Sequence, residues 1–236
     1  MARSFGGLLR EVGRELLDLV YPPRCVACGE GIGGEPGEAF CAVCREALEP
    51  VPPGCARCGL PGPDPLCGHC LVRPPAFDGA RAGGLFGGPL ADAVHALKYR
   101  DRPALARPLG GWLAARVALP PGAVVVSVPL GSRRRRDRGY DQAALLADHL
   151  ARAAGARRLR GALRRRRETP PQVGRDRESR ARNVHGAFAA VRAVDGQDLV
   201  LVDDVVTTGA TADACARALK EAGARLVLAV ALARAE

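Results

Sequence analysis

Apolar residues follow three different patterns along the chain. Residues 5–20 place leucine and valine three or four positions apart, which predicts one amphipathic helix. From residue 21 to residue 75 cysteine, glycine and proline replace this periodicity, so burial alone cannot hold the stretch together. Beyond residue 76 apolar runs alternate with helix-like segments, as is typical of an α/β domain. We therefore predict two units, residues 1–76 and residues 77–236.

The second unit is predicted to contain the elements of a parallel sheet. The pattern predicts helices over Ala91–Tyr99, Ala104–Val117, Asp141–Ala154 and Ala212–Ala222. It predicts buried strands over Ala123–Pro129, Leu199–Val202 and Leu226–Leu232. The last strand, helix and strand form a βαβ unit, and such units build parallel sheets. The predicted fold class is α/β, with a parallel Rossmann-like sheet and a small N-terminal module.

A long polar segment interrupts the second unit. Residues 164–184 are dominated by arginine, glutamate, proline and glutamine, with almost no apolar side chain. Loops this long without structure of their own are usually functional or disordered. We therefore predict a loop over this segment.

The composition argues against a membrane-spanning chain and leaves the partner open. Although 47% of the residues are hydrophobic, no apolar run approaches the roughly 18 residues that suggest a membrane span. Charged residues interrupt the apolar positions near the N-terminus, so we expect no signal peptide and predict a cytoplasmic location. A net charge of +10 favours a polyanionic partner, but the arginine runs 133–136 and 164–167 are equally typical of solvated loops.

Cysteine is concentrated in the N-terminal unit. Eight of the nine cysteines form four Cys-x-x-Cys pairs, and the ninth, Cys215, is predicted to be a buried, inert thiol. Two such pairs can complete a tetrahedral four-sulfur site, which suits Zn²⁺, whereas a disulfide framework is unexpected without a secretory signal. Sequential pairing closes the shortest loops, but an interleaved arrangement stays open. The predicted ligands of two structural zinc ions are Cys25, Cys28, Cys41, Cys44, Cys55, Cys58, Cys67 and Cys70.

Two aspartates and a threonine-glycine turn connect a predicted strand to a predicted helix. The turn over residues 207–211 lies at the amino end of that helix, where free N–H groups and the helix dipole attract a phosphate. Asp203 and Asp204 would repel a bare phosphate, so we expect them to face ribose hydroxyls or a hydrated Mg²⁺. The string is neither a Walker loop nor a dinucleotide fingerprint. It predicts a site for a sugar, a phosphate and a metal together.

This string resembles the signature of type I phosphoribosyltransferases, and the chain resembles the ComF/GntX family almost end to end. The resemblance rests on Pro22-Pro23-Arg24-Cys25, the four cysteine pairs, Leu97-Lys98-Tyr99, Val128-Pro129-Leu130, Arg138-Gly139-Tyr140-Asp141-Gln142, Thr169-Pro170-Pro171-Gln172 and Arg182-Asn183-Val184-x-Gly186-Ala187-Phe188. It implies a double zinc ribbon, a phosphoribosyltransferase-like domain that binds 5-phosphoribosyl-1-diphosphate with Mg²⁺, and a role in natural competence, that is, DNA transformation. Asp141 departs from the asparagine usual in the family, which removes an amide donor near the expected anion site.

The resemblance also implies a role for each residue of the site. Asp203 and Asp204 would hold the ribose. The 5-phosphate would be held by Thr207, Thr208, Gly209, Ala210 and Thr211. Pyrophosphate and substrate contacts are assigned to Lys98, Arg138, Gln142, Arg177 and Arg180. The last two belong to the 164–184 loop, which matches a lid that closes over the reacting centre.

Three functions remain compatible with these residues. The first is a pentosyl transferase that moves the phosphoribosyl group to an amine or base, with an acceptor that the sequence does not identify. The second is a non-catalytic DNA-processing factor whose basic surface and zinc module contact single-stranded DNA or a competence helicase. The third keeps the pocket as a ligand sensor without turnover.

Overall fold

A computed structural model describes residues 22–32, 38–167, 184 and 186–235. The predicted helix over residues 5–20 and most of the predicted 164–184 loop lie outside these residues. In the described part of the chain, no helix combines the length and the apolar character needed to cross a bilayer.

A five-stranded parallel sheet forms the centre of the second unit. The described residues contain seven strands, five of them in this sheet: β1 (Gly79–Leu85), β2 (Val124–Ser127), β3 (Arg157–Arg158), β4 (Leu163–Arg165), β5 (Phe188–Ala190), β6 (Asp198–Val206) and β7 (Leu226–Arg234). The spatial order in the sheet is β1-β7-β6-β2-β3, and every neighbouring pair is parallel. Strands β4 and β5 form a separate antiparallel pair. The predicted α/β class and the C-terminal βαβ unit are confirmed.

Helices cover both faces of the sheet. The helices of the described residues are α1 (Ala42–Glu46), α2 (Gly68–Val72), α3 (Gly88–Tyr99), α4 (Ala106–Ala114), α5 (Ser132–Arg138), α6 (Gln142–Ala153) and α7 (Ala210–Glu221), with a 3₁₀ turn at Pro103–Leu105. Of these, α3, α4, α6 and α7 pack on the sheet. On one face, Leu97 of α3 and Leu146 of α6 belong to the same buried cluster as Val200 of β6. On the other face, Cys215 of α7 is buried with Leu201 of β6. Consecutive β6 residues alternate between these clusters, as strand geometry requires.

Several elements of the structure are absent from the sequence prediction, among them β1, β4 and α5. Strand β1 is mostly glycine and alanine, and its place in the sheet comes from pairing with β7. Helix α5 carries no apolar residue, so no periodic stripe marks it, and it contains the arginine run 133–136, which is also typical of a solvated loop. The predicted 164–184 loop is also wrong at its start, because Arg164 and Arg165 are paired with β5.

The two C-terminal strands are longer than predicted. Strand β6 continues to Val206 and β7 to Arg234, and these two residues are register partners. Asp203 and Asp204 therefore lie within the strand and not in the loop after it. Backbone pairing extends beyond the apolar run because β7 offers partners along the whole length of β6.

The cysteine-rich segment packs directly on the α/β domain. Phe40 meets Trp112 of α4 edge to face, with 5.5 Å between the ring centroids. The guanidinium of Arg234, which is buried at the end of β7, donates to the carbonyl of Cys58 at 3.2 Å. The boundary at residue 76 stays a prediction.

Candidate functional site

The eight N-terminal cysteines form two separate four-sulfur clusters. Within each cluster the sulfur atoms lie within 4.8 Å of one another, and the Cys28–Cys41 and Cys58–Cys67 separations are 3.8 Å and 3.7 Å. A tetrahedral site with Zn–S bonds of about 2.3 Å has sulfur–sulfur edges of about 3.8 Å. The pairing is sequential, and both sites fit a structural zinc ion. The two clusters are Cys25, Cys28, Cys41 and Cys44, and Cys55, Cys58, Cys67 and Cys70.

Tight turns prepare both clusters to bind metal. Gly29 and Gly59 follow the second cysteine of a pair with φ of 81° and 66°, in the left-handed region that glycine enters without strain. Burial alone would raise the pKa of Cys25 and Cys55, but backbone N–H groups that donate to the sulfur lower it to about 6. A thiolate is the form that ligates zinc, so these turns favour metal binding.

A second feature is an open cleft of about 1130 Å³ beside the end of β6. Ligands of open α/β sheets bind outside the carboxyl ends of the strands, and this cleft lies there. The turn over residues 207–211 lines it and leads into α7, with Gly209 at a φ of 79°. The backbone N–H groups of Thr207 and Gly209 donate to none of the described residues. The turn therefore offers N–H donors to the cleft.

The two aspartates face different sides of the sheet. Asp204 accepts from Lys98 Nζ at 2.6 Å through one carboxylate oxygen and from Gln142 Nε2 at 2.7 Å through the other. Lys98 belongs to α3 and Gln142 to α6, both on the same face of the sheet. Asp203 points to the α7 face, where its charge acts on the thiol of Cys215.

The pKa of Asp203 and the pKa of Lys98 are both raised, but for different physical reasons. Burial and the neighbouring Asp204 carboxylate together raise the pKa of Asp203 to about 8, against the opposing effect of Lys98. Burial lowers the pKa of Lys98, but the attraction of Asp204 outweighs it and the pKa lies above its ordinary value. The cleft thus holds a charged ammonium that pairs with Asp204, and the raised pKa of Asp203 favours its protonated form.

Arg138 lines the same cleft but contacts other residues. Its guanidinium lies 5.4 Å from the ring centroid of Tyr99, a cation–π contact, and Tyr99 is 74% exposed. The Nη1 atom of Arg138 is buried and has no hydrogen-bond partner in the described part of the chain. Next to it, the hydroxyl of Tyr140 donates to the carbonyl of Leu97 at 2.5 Å, which ties the segment to α3.

Asp141, the departure from the family pattern, has a local structural role. Its Oδ1 accepts from the N–H of Ala144 at 3.0 Å and so caps α6. Its Oδ2 accepts from the N–H of Leu130 at 3.0 Å, which fixes the start of the loop after β2. A carboxylate supplies an acceptor for each of these donors, so the missing amide donor is not needed there.

The structure brings three of the predicted site residues together, and two others are not among the residues that it describes. Lys98, Gln142 and Asp204 form one network, whereas Arg177 and Arg180 lie outside the described residues. Sequence reasoning missed Tyr99 and Arg165, which also line the cleft. The tyrosine in the Leu97-Lys98-Tyr99 motif, whose ring is exposed, could have identified Tyr99 as a site residue. Arg165 was missed because the sequence prediction placed it in a loop.

Comparison with known proteins agrees with this two-part architecture. The family model described as double zinc ribbon domain matches residues 16–71, and the one described as phosphoribosyl transferase domain matches residues 140–236. DNA utilization protein YhgH of Salmonella typhi is 36% identical over 197 residues, which cover 80% of this chain and 87% of that protein. The chain belongs to the ComF/GntX family. Another relative of this ComF/GntX protein, competence protein F of Haemophilus influenzae, is 29% identical over 90% of this chain and 97% of its own length.

Solved structures give more distant matches. The glutamine phosphoribosylpyrophosphate amidotransferase of B. subtilis, complexed with ADP and GMP, is 26% identical over 59% of the ComF/GntX chain, with a TM-score of 0.37. The match covers 27% of the amidotransferase chain. TT1426 from Thermus thermophilus is 24% identical over 53% of the present chain and 72% of its own, with a TM-score of 0.31. The family assignment rests on the sequence relatives, not on these overlays.

Proposed function

We propose that this protein binds 5-phosphoribosyl-1-diphosphate together with Mg²⁺ in the cleft beside β6. One observation carries the proposal: the acidic pair lines a single cleft with the N–H groups of Thr207 and Gly209, which donate to none of the described residues. An N–H-lined turn at a helix start suits a phosphate, and carboxylates suit sugar hydroxyls.

The groups that line the cleft give the proposed ligand a direction. The 5-phosphate belongs at the 207–211 turn, and the ribose belongs beside the acids at the end of β6. The pyrophosphate then meets cationic groups, for which Arg138, with its unpartnered Nη1 among the described residues, and Lys98 are the candidates. Mg²⁺ bound with the sugar would supply neutralisation of the pyrophosphate charge.

We further propose that the bound sugar is a donor for pentosyl transfer to an acceptor of unknown identity. Cleavage at C1 separates a cationic sugar from an anionic leaving group, and the cations of the cleft stabilise the latter. A sensor without turnover would share the binding site but not this reaction. Release of pyrophosphate in the presence of candidate amines and bases separates the two.

The binding proposal is tested by calorimetric titration with the diphosphate sugar plus Mg²⁺. The variant Asp203→Asn with Asp204→Asn is expected to weaken binding by more than about tenfold, since it removes the carboxyl of Asp203 from the ribose position and leaves Lys98 without its partner. The control is Asp92→Asn, an exposed acid on α3, which is expected to bind like the wild type. Absence of binding to the wild-type protein, or equal affinity of the double variant, would sink the proposal.

A second candidate function is binding of single-stranded DNA, in keeping with the name of DNA utilization protein YhgH. The observation that favours it is the α5 helix, whose exposed Arg134 and Arg136 line the cleft. Exposed Tyr99 adds one ring on which a base can stack. A role in natural competence and a cytoplasmic location, which reduced cysteine sites would suit, belong to this proposal.

Fluorescence anisotropy with a labelled oligodeoxythymidine tests the binding of DNA. Affinity is expected to fall steeply with salt, and Arg134→Ala with Arg136→Ala is expected to reduce the slope by about 0.7 for each phosphate that the variant no longer neutralises. Arg152→Ala, an exposed arginine on α6, is the matched control and should leave the slope unchanged. Binding that is absent or insensitive to salt rules this function out.

A further inference from the structure

Both carboxylate oxygens of Asp204 are already occupied within the protein. Lys98 Nζ lies 2.6 Å from Oδ1, and Gln142 Nε2 lies 2.7 Å from Oδ2. The Asp204 side chain is only 7% exposed, so water cannot replace these partners easily. A divalent ion that bound directly to this carboxylate would have to displace the ammonium or the amide.

The cation of this pair is held in the cleft and not at the surface. The side chain of Lys98 is 19% exposed and lines the cleft. Lysine occurs at only one other position, Lys220, whose ammonium pairs with Asp78 at 2.8 Å in a more exposed setting. An ammonium is a compact charge with three donors, so Lys98 can bond Asp204 and still direct a donor toward a ligand.

The second acid lacks such a partner. Asp203 accepts the N–H of Asp204 at 2.8 Å through Oδ1, and no described residue forms an ion pair with it. Because consecutive strand residues face opposite sides, Lys98 cannot serve both carboxylates in the same way. The buried Oε1 of Gln142 also has no hydrogen-bond partner in the described residues, which leaves an acceptor beside Lys98 for a ligand hydroxyl.

We propose that Lys98 is the resident cation of the acidic pair: it excludes metal from Asp204 and presents an ammonium to the substrate, while Asp203 alone receives the ribose. The substrate half of this statement rests on the proposed function. The exclusion of metal does not, because it concerns only this chain and a divalent ion. Lys98 is therefore a positioning and binding residue, and magnesium enters with the diphosphate of the sugar.

Mn²⁺ alone, titrated into zinc-loaded protein and followed by electron paramagnetic resonance, tests the exclusion. Lys98→Met is expected to bind Mn²⁺ about tenfold tighter than the wild type, because it removes a positive charge next to Asp204. Lys98→Arg keeps the charge and should bind as weakly as the wild type. The double variant Lys98→Met with Asp204→Asn should bind Mn²⁺ as weakly as the wild type. If Lys98→Met binds no tighter, or the double variant keeps the gain, the inference is wrong.

A further comparison needs no change at Lys98. Asp204→Asn alone is expected to leave the weak Mn²⁺ affinity of the wild type unchanged, and a clear loss would show that the wild-type carboxylate does bind metal.

Titration with the diphosphate sugar and Mg²⁺ then tests the substrate half of the proposal. Lys98→Met should weaken binding of the sugar, and adding Asp204→Asn should weaken it little more, since the two residues act as one unit. Additive losses overturn this half. Failure of the wild type to bind the sugar refutes the proposed function, whereas the Mn²⁺ results stand.

Discussion

Neighbouring residues on one strand can have different chemistry because their side chains lie on opposite faces of the sheet. Asp204 is neutralised by Lys98 at 2.6 Å, whereas Asp203 lies on the α7 side and accepts one backbone N–H. Burial and the adjacent negative charge then raise the pKa of Asp203 to about 8 from an ordinary value of 3.8. A bound ligand can therefore change the protonation of Asp203.

The raised pKa of Asp203 predicts a pH dependence of stability. Between about pH 4 and pH 8 the folded protein holds a proton on Asp203 that the unfolded chain has released, so the free energy of unfolding falls as the pH rises through this window. Asp203→Asn removes the effect. The variant is expected to match the wild type near pH 4 and to melt about 3 °C higher, or more, at pH 8.

Thermal unfolding followed by circular dichroism at several pH values measures this difference. Asp92→Asn, which changes an exposed acid on α3, is the control and should show no such growth of the difference with pH. A difference between Asp203→Asn and the wild type that stays constant from pH 4 to pH 8 would contradict the prediction.

At the scale of helices and strands, apolar periodicity predicted the elements that pack by their own side chains. Helices α6 and α7 and strands β2, β6 and β7 carry the buried residues that revealed them. Strand β1 and helix α5 could not be found in this way, because one is held by pairing with β7 and the other has an exposed, arginine-rich surface. The Lys98–Asp204 pair was also beyond reach, since only the packed sheet brings α3 to the end of β6.

Close packing between α4 and α6 predicts opposite effects for two adjacent glycines. A Cβ at Gly110 would lie 2.6 Å from His149 Cβ and 3.0 Å from the backbone nitrogen of Leu150, so Gly110→Ala forces the helices apart. A Cβ at Gly111 meets nothing within 4 Å. Gly110→Ala is expected to cost about 1–3 kcal/mol. Gly111→Ala should stabilise by roughly 0.5–1 kcal/mol through helix propensity.

Urea denaturation of both variants measures these changes in the free energy of unfolding. Each variant serves as the control for the other, because both change glycine to alanine within the same helix. Equal shifts in the same direction would mean that α4 and α6 are not packed as closely as described.

At the scale of the whole molecule, the zinc clusters and the sheet depend on shared packing. Cys25 and Cys44 are buried in the cluster that contains Leu90 and Trp112 of the α/β domain. Cys58 of the second cluster accepts from Arg234, whose register partner Val206 immediately precedes the 207–211 turn. The sequence revealed both units through separate signals, but it contains no local pattern that would show this contact between them.

This shared packing predicts that zinc stabilises the α/β domain and not only the ribbons. The protein as purified should contain two zinc ions per chain, and Cys70→Ser should reduce this number to one by breaking the second cluster. Because that cluster packs beside Arg234 and β1, we expect the melting temperature of the entire domain to fall by more than about 5 °C.

The measurements are elemental analysis, which gives the zinc content, and circular dichroism at a wavelength that reports the α/β domain. Cys215→Ala is the matched control, since it removes the ninth cysteine and should leave the zinc content at two. If chelation or Cys70→Ser left the melting of the α/β domain unchanged, the ribbons would be independent attachments, and the hydrogen bond from Arg234 would contribute no stability.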